Sequence, residues 1–82
     1  MIQAIVDVQA ERERQDTLWG EQNHDSFKWC AILGEEFGEV CKAALEEYFP
    51  AYPRTSDFRN ELIQVAAVAI AAIECIDRKG DV

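Results

Sequence analysis

Leu62-Ile-Gln-Val-Ala-Ala-Val-Ala-Ile-Ala-Ala-Ile73 is twelve residues long and broken only by Gln64. The run is well short of the roughly 20 apolar residues that cross a bilayer, so it reads as a buried helix of a soluble protein. On a helical projection it is apolar on every side. Ile63, Ala67 and Ile70 take one flank, Leu62, Ala66, Ala69 and Ile73 the other, and Val65, Val68 and Ala72 lie between. A helix starts near Asp57, with Ser56 or Asp57 as its cap, and ends by Gly80 after Arg78 and Lys79 favourably occupy its last turn.

Working outward, Phe49-Pro-Ala-Tyr-Pro-Arg-Thr-Ser56 is a proline-marked connection between helices. Before it, a second helix is expected from a cap at Asp25 or Ser26 to about Tyr48. A first helix spans about Ile2 to Leu18, apolar at Ile2, Ile5, Val6 and Val8 and charged in Glu11-Arg-Glu-Arg-Gln-Asp16, and Gly20 stops it. The fold class is therefore all-α, a three-helix protomer in a single domain over residues 1–82. Two short helices cannot cover the whole circumference of the third. A neighbouring chain is expected to bury the remainder, giving a helical bundle with a homodimer as the minimum assembly and a tetramer left open.

Sixteen acidic against eight basic residues give a net charge of -8. That balance excludes binding of DNA or RNA through the phosphate backbone, where basic surface supplies most of the affinity. Cys30, Cys41 and Cys75 are odd in number, lack a C-x-x-C spacing and sit in apolar helical stretches, so they read as reduced, hydrophobe-like thiols of a cytoplasmic protein. Met1 to Val8 carries Asp7 and no basic cluster, unlike a secretory signal.

Against this background the acids of the second helix stand out. Glu35, Glu36 and Glu39 occur in Leu33-Gly-Glu-Glu-Phe-Gly-Glu-Val40. With Glu36 as zero and about 100° per residue, Trp29, Val40, Leu33 and Ala44 lie within about 80° on one side, and Ala43 and Ile32 within about 40° on the other. Glu36 thus projects from the middle of the apolar arc, with Glu39 and Glu35 at its edge. Carboxylates three and four apart share a volume and repel. Burial of such a cluster is costly unless a cation sits between its members, most economically a divalent metal, read as magnesium. Glu61 and Gln64 repeat the three-residue spacing on the third helix, on one face with Asp57 and Val68. Glu46 and Glu47 read as an ordinary solvated face. Gly34 and Gly38, each costing about 1 kcal/mol inside a helix relative to alanine, point to close approach of another helix backbone or else to simple tolerance of two poor helix formers.

Gln22-Asn-His-Asp25, Lys28-Trp-Cys-Ala-Ile-Leu-Gly-Glu-Glu-Phe-Gly-Glu-Val-Cys-Lys-Ala43 and Glu61-Leu-Ile-Gln-Val-Ala-Ala67 together resemble the MazG-like nucleotide pyrophosphohydrolases, over nearly the whole chain. That all-α superfamily carries E-E-x-x-E on one helix and E-x-x-D on the next. The first motif is complete here as Glu35, Glu36 and Glu39. The second begins at Glu61 and departs at its last position, where Gln64 replaces aspartate and removes one negative charge, while its amide carbonyl remains able to ligate a hard cation.

The resemblance implies an enzyme that hydrolyses a nucleoside triphosphate to the monophosphate and pyrophosphate, with Mg2+ as cofactor and Mn2+ able to substitute. It implies Glu36, Glu39, Glu61 and Gln64 as metal ligands and Glu35, Glu36 and Glu39 as catalytic groups, Glu35 being either a further ligand or the base for water. Lys28 would either neutralise phosphate charge or, as a surface lysine, pair with a glutamate. Trp19 offers a stacking surface for the base, and Gln22, Asn23 and His24 offer hydrogen-bond groups. Trp29 is assigned to core packing. Arg54 and Arg59 are left open between phosphate and solvent. The alternative is a catalytically weak nucleotide-binding or regulatory helical dimer with an altered metal site at Gln64.

Overall fold

The computed structural model describes residues 1–79 and consists of α1 (Ile2–Trp19), α2 (Ser26–Tyr48) and α3 (Phe58–Lys79). The expected stop at Gly80 lies outside the described residues. Each described boundary has a local cause. Gly20 closes α1 at φ 70°, a conformation that costs a residue without Cβ nothing, and donates its N–H to the Asp16 carbonyl at 2.8 Å. Asp25 caps α2, its carboxylate accepting from the Lys28 N–H at 2.9 Å. Asp57 caps α3 through the Arg59 N–H at 3.1 Å, while its carbonyl accepts from Glu61 N–H at 2.9 Å. Replacing Asp25 by alanine is expected to lower unfolding free energy by about 1 kcal/mol, measured by chemical denaturation. An unchanged midpoint would show that water satisfies the same N–H equally well.

The apolar run of α3 occupies the centre. Both α1 and α2 pack against α3, and among the described residues they do not pack against each other. Trp29 of α2 meets Val68, Ala72 and Cys75 of α3, with Ile32, Leu33 and Ala71 packed around them. Val40, Ala43 and Ala67 are buried as well. The assignment of Trp29 to the core therefore holds, at 5 % exposure. α1 is held differently: its buried residue is Gln15, and Arg12 bridges to Glu74 of α3 at 2.6 Å while Arg59 pairs with Asp7 at 2.8 Å.

Several sequence expectations need correction. Glu46 is not a solvated residue. It is 5 % exposed, and its carboxylate accepts from the Thr55 N–H, the Thr55 hydroxyl and the Ser56 N–H, each at 2.9 Å, folding the connection after α2 back onto the helix. Sequence spacing alone misses this because the partners lie nine and ten residues away, beyond any helical period. Glu47 is exposed, as expected, and faces Arg54 at 3.9 Å. Cys30 and Cys41 are exposed while Cys75 is buried, and all three are free. Gly34 and Gly38 are exposed, and a Cβ on either would meet nothing within 4 Å, so no helix of this chain explains them.

The chain is more extended than a compact one of its length. A compact chain of this length has a radius of gyration of about 12 Å; this one measures 14.3 Å, with extents of 48 × 29 × 23 Å. Of the α3 run, Leu62, Ile70 and Ile73 remain exposed, as does Ile76 just beyond it, so the described residues do not cover it. Among the described residues no helix is long and apolar enough to cross a membrane.

Candidate functional site

Because α1 and α2 stand on α3 without touching, a cleft of about 560 Å³ opens between them. This lies within the range of small-molecule sites. Gln64, Val68 and Ala71 of α3 form its floor. Arg12, Gln15 and Trp19 stand on the α1 side, Trp29, Ile32 and Glu36 on the α2 side, and Gln22 and Arg78 close one end.

Glu36 is the decisive group. It emerges from the apolar arc of α2 half-buried, and its Oε2 is shielded from solvent without a hydrogen-bond partner. Burial pushes its carboxyl above the ordinary carboxylate range, and the negative charges of Glu61, Glu39, Glu11 and Glu35, in that order, push the same way. A buried oxygen left unpaired costs free energy that a solvated one does not. Among the described residues nothing offsets that cost for the Glu36 Oε2.

The other expected residues divide into those at the cleft and those outside it. Gln64, Trp19 and Gln22 line the cleft with Glu36. Trp19 is 59 % exposed, leaving much of its ring free for a planar ligand. Glu61 is half-buried in the first turn of α3 and reaches Glu36 through its charge. Glu35 and Glu39 are exposed and act on Glu36 at longer range. Lys28 is exposed and does not line the cleft. His24 does not line it either. Its ring packs edge-on against Trp29 with centroids 4.8 Å apart, and its Nε2 lies 3.4 Å from Gln22 Oε1.

Among the described residues no three His, Cys, Asp or Glu side chains converge closely enough to hold a metal ion. Glu36, Glu39 and Glu61 therefore do not form a closed cage in this protomer. What is present suits a narrower demand. Magnesium commonly keeps several waters and uses one or two carboxylates plus substrate phosphates, and Glu36 and Gln64, which line the same cleft, could supply protein ligands of that number. The residues fit an ion that arrives with a phosphorylated ligand and do not fit one gripped by the protein alone.

Neither a family model, nor a curated protein, nor a solved structure matches this chain.

Sequence reasoning missed the arginines. Arg12, Arg14 and Arg78 all line the cleft, so three of the eight basic residues converge there. Arg14 pairs with Glu11 at 2.7 Å, and the negative charge of Glu36 also favours its protonated form. Arg78 donates to the Gln22 carbonyl and to Asn23 Oδ1, each at 2.9 Å, and lies 3.4 Å from Glu21, tying the connection after α1 to the end of α3. Arg12, Gln15 and Trp19 are spaced by three and four, a one-face signal inside what reads as a generic charged run. The expected phosphate candidates are engaged elsewhere: Arg59 with Asp7, and Arg54 with Glu47.

Proposed function

We propose that this protein is a Mg2+-dependent nucleoside triphosphate pyrophosphohydrolase that acts in the cytosol as a homodimer. The observation that carries the reading is Glu36, whose Oε2 is shielded and unpartnered and whose side chain lines one cleft of about 560 Å³ together with Gln64 and three arginines. The resemblance of Glu35, Glu36, Glu39 and the Glu61 helix to MazG-like enzymes supports the same reaction. Free thiols support a reducing compartment.

Glu36, Gln64 and the nearby Glu61 would hold the ion, which when bound supplies charge neutralisation at the phosphates and lowers the pKa of water. The chain's own groups supply the rest. Trp19 stacks the base, and Gln22 is available to hydrogen-bond its polar edge. Arg14 exchanges its exposed contact with Glu11 for a phosphate oxygen, a swap that costs little because surface ion pairs are weak. Glu35 or Glu39, both exposed, accepts a proton from the attacking water. The products are a nucleoside monophosphate and pyrophosphate.

Purified protein with magnesium and a panel of nucleoside triphosphates, common and modified, is expected to release pyrophosphate. Magnesium alone is expected to shift the melting temperature little, and magnesium with nucleotide to raise it, because the site is completed only by the ligand. A panel without turnover would overturn the enzymatic reading.

One observation favours a second reading, a binding or regulatory dimer that does not turn over. Among the described residues no three acids converge, and the amide of Gln64 supplies no charge. Gln64→Asp separates the two: turnover created by the substitution where the natural protein has none favours the binding module.

A further inference from the structure

Phe27, Cys30, Gly34, Phe37, Cys41, Ala44 and Tyr48 recur along α2 at strictly alternating intervals of three and four, and all are exposed. That is the seam of a coiled coil sustained for three heptads. No charged residue interrupts it, in a chain of net charge -8. Phe27 is 87 % exposed, Phe37 60 % and Tyr48 78 %, so nothing among the described residues covers the bulky members. Beside it α3 offers a parallel row, Leu62, Ala66, Ala69, Ile73 and Ile76, spaced four, three, four and three, with Leu62, Ile73 and Ile76 exposed.

We propose that this two-helix face is where a second copy of the chain docks, packing α2 against α2 and α3 alongside to close a four-helix bundle. The inference rests on the homodimer reading above and names the surface that reading left open. Two arguments commit the occupant to a second copy. The face is about 33 Å long by about 20 Å wide, from helix rise and interhelical spacing. That is roughly 660 Å², close to the roughly 800 Å² per partner of a stable interface. Secondly, an uncharged seam is self-compatible. A highly acidic chain can bring two identical copies of it together without setting carboxylate against carboxylate.

The glycines supply an independent pointer. Gly34 and Gly38 sit in mid-helix, where glycine is costly, and the space over each is empty in the protomer. In an antiparallel two-fold pairing centred between Phe37 and Gly38, the Phe37 ring of one copy meets the Gly38 position of the other, and Cys41 meets Gly34. Large faces small. Glu36 lies about 130° around the helix from the seam centre, so both clefts stay open to solvent in the dimer.

Sedimentation equilibrium tests this on the full chain. The natural protein is expected at twice the chain mass, and Phe37→Glu at the chain mass with unchanged helical circular dichroism. Gly34→Ala with Gly38→Ala gives a readout of opposite sign under the two views: on a free face added methyl groups raise the melting temperature, whereas at a close-packed seam they weaken dimerisation by at least about tenfold. Ile5→Glu, on the exposed face of α1, is expected to leave the dimer intact. A natural protein that stays monomeric at its highest soluble concentration overturns the dimer and this face together. A dimer that survives Phe37→Glu and the double alanine variant, or that Ile5→Glu dissociates, overturns this face alone.

Discussion

Glu36→Gln is expected to lower magnesium-dependent pyrophosphate release by at least about 100-fold. The substitution keeps the shape of the side chain and removes only its charge, so the three-helix cleft survives while position 36 loses its attraction for a cation. Helical circular dichroism should be unchanged. Without ligand the variant is expected to be more stable than the natural protein near neutral pH, since Glu36 is held against burial and four neighbouring acids. The sign follows from linkage. A carboxyl whose folded pKa is raised above its ordinary 4.5 contributes stability that is present below that value and lost as pH rises through the folded pKa. At neutral pH that contribution has gone, and glutamine, which never ionises, avoids the loss. Unchanged turnover in Glu36→Gln would sink the site; lowered stability without ligand would mean that the carboxylate has a stabilising partner inside the fold.

Glu46→Ala is expected to produce the largest loss of stability among charge-removing substitutions, a fall in melting temperature of roughly 10 °C by thermal scanning. Its carboxylate gathers the Thr55 and Ser56 N–H groups and the Thr55 hydroxyl, with Lys42 Nζ at 3.6 Å. Without it two backbone donors lose their acceptor, and the segment between α2 and α3 is left to the edge-on contacts of Tyr48, Phe49 and Tyr52. Burial opposes ionisation of Glu46, but the hydrogen bonds from Thr55 and Ser56 and the charge of Lys42 outweigh it and hold its pKa low. The linkage therefore runs opposite to that of Glu36: this stability is present above the ordinary value of 4.5 and is lost as pH falls through the lower folded pKa. Acid titration of the natural protein should loosen this connection while relieving Glu36. A melting temperature unaffected by Glu46→Ala would mean that the connection is held by its aromatic cluster alone.

These two glutamates mark the limit of what periodicity reveals. Glu36 is legible because Trp29, Ile32, Leu33, Val40 and Ala43, three, four and seven residues away, are apolar and only Glu39 among those positions is not, so its direction follows from α2 alone. Glu46 falls in the same helix, yet its partners come from a proline-containing connection whose path no helical period encodes. The arginines of the cleft were hidden for a related reason. Arg12 and Arg14 look like an ordinary charged face until α3 brings Glu74 and α2 brings Glu36 to them. Lys28, chosen by its angular position beside Glu35 and Glu39, stands outside the cleft because its helix turns that edge to solvent. Asp25, Gly20 and Asp57 act where the sequence placed them, since caps and stops depend only on the nearest four residues.

What the sequence alone determined is everything that a 3.6-residue period and a few local hydrogen bonds can encode: three helices and their described ends, a central α3 too apolar for its own chain to cover, and Glu36 aimed inward. The tertiary structure decided which charges meet. It stands α1 and α2 apart on α3, opens the cleft between them, brings arginines from α1 and α3 to an acid on α2, and folds a loop onto Glu46. Those pairings span up to 62 residues of chain, and their strength depends on distance and desolvation, which exist only after the helices have packed.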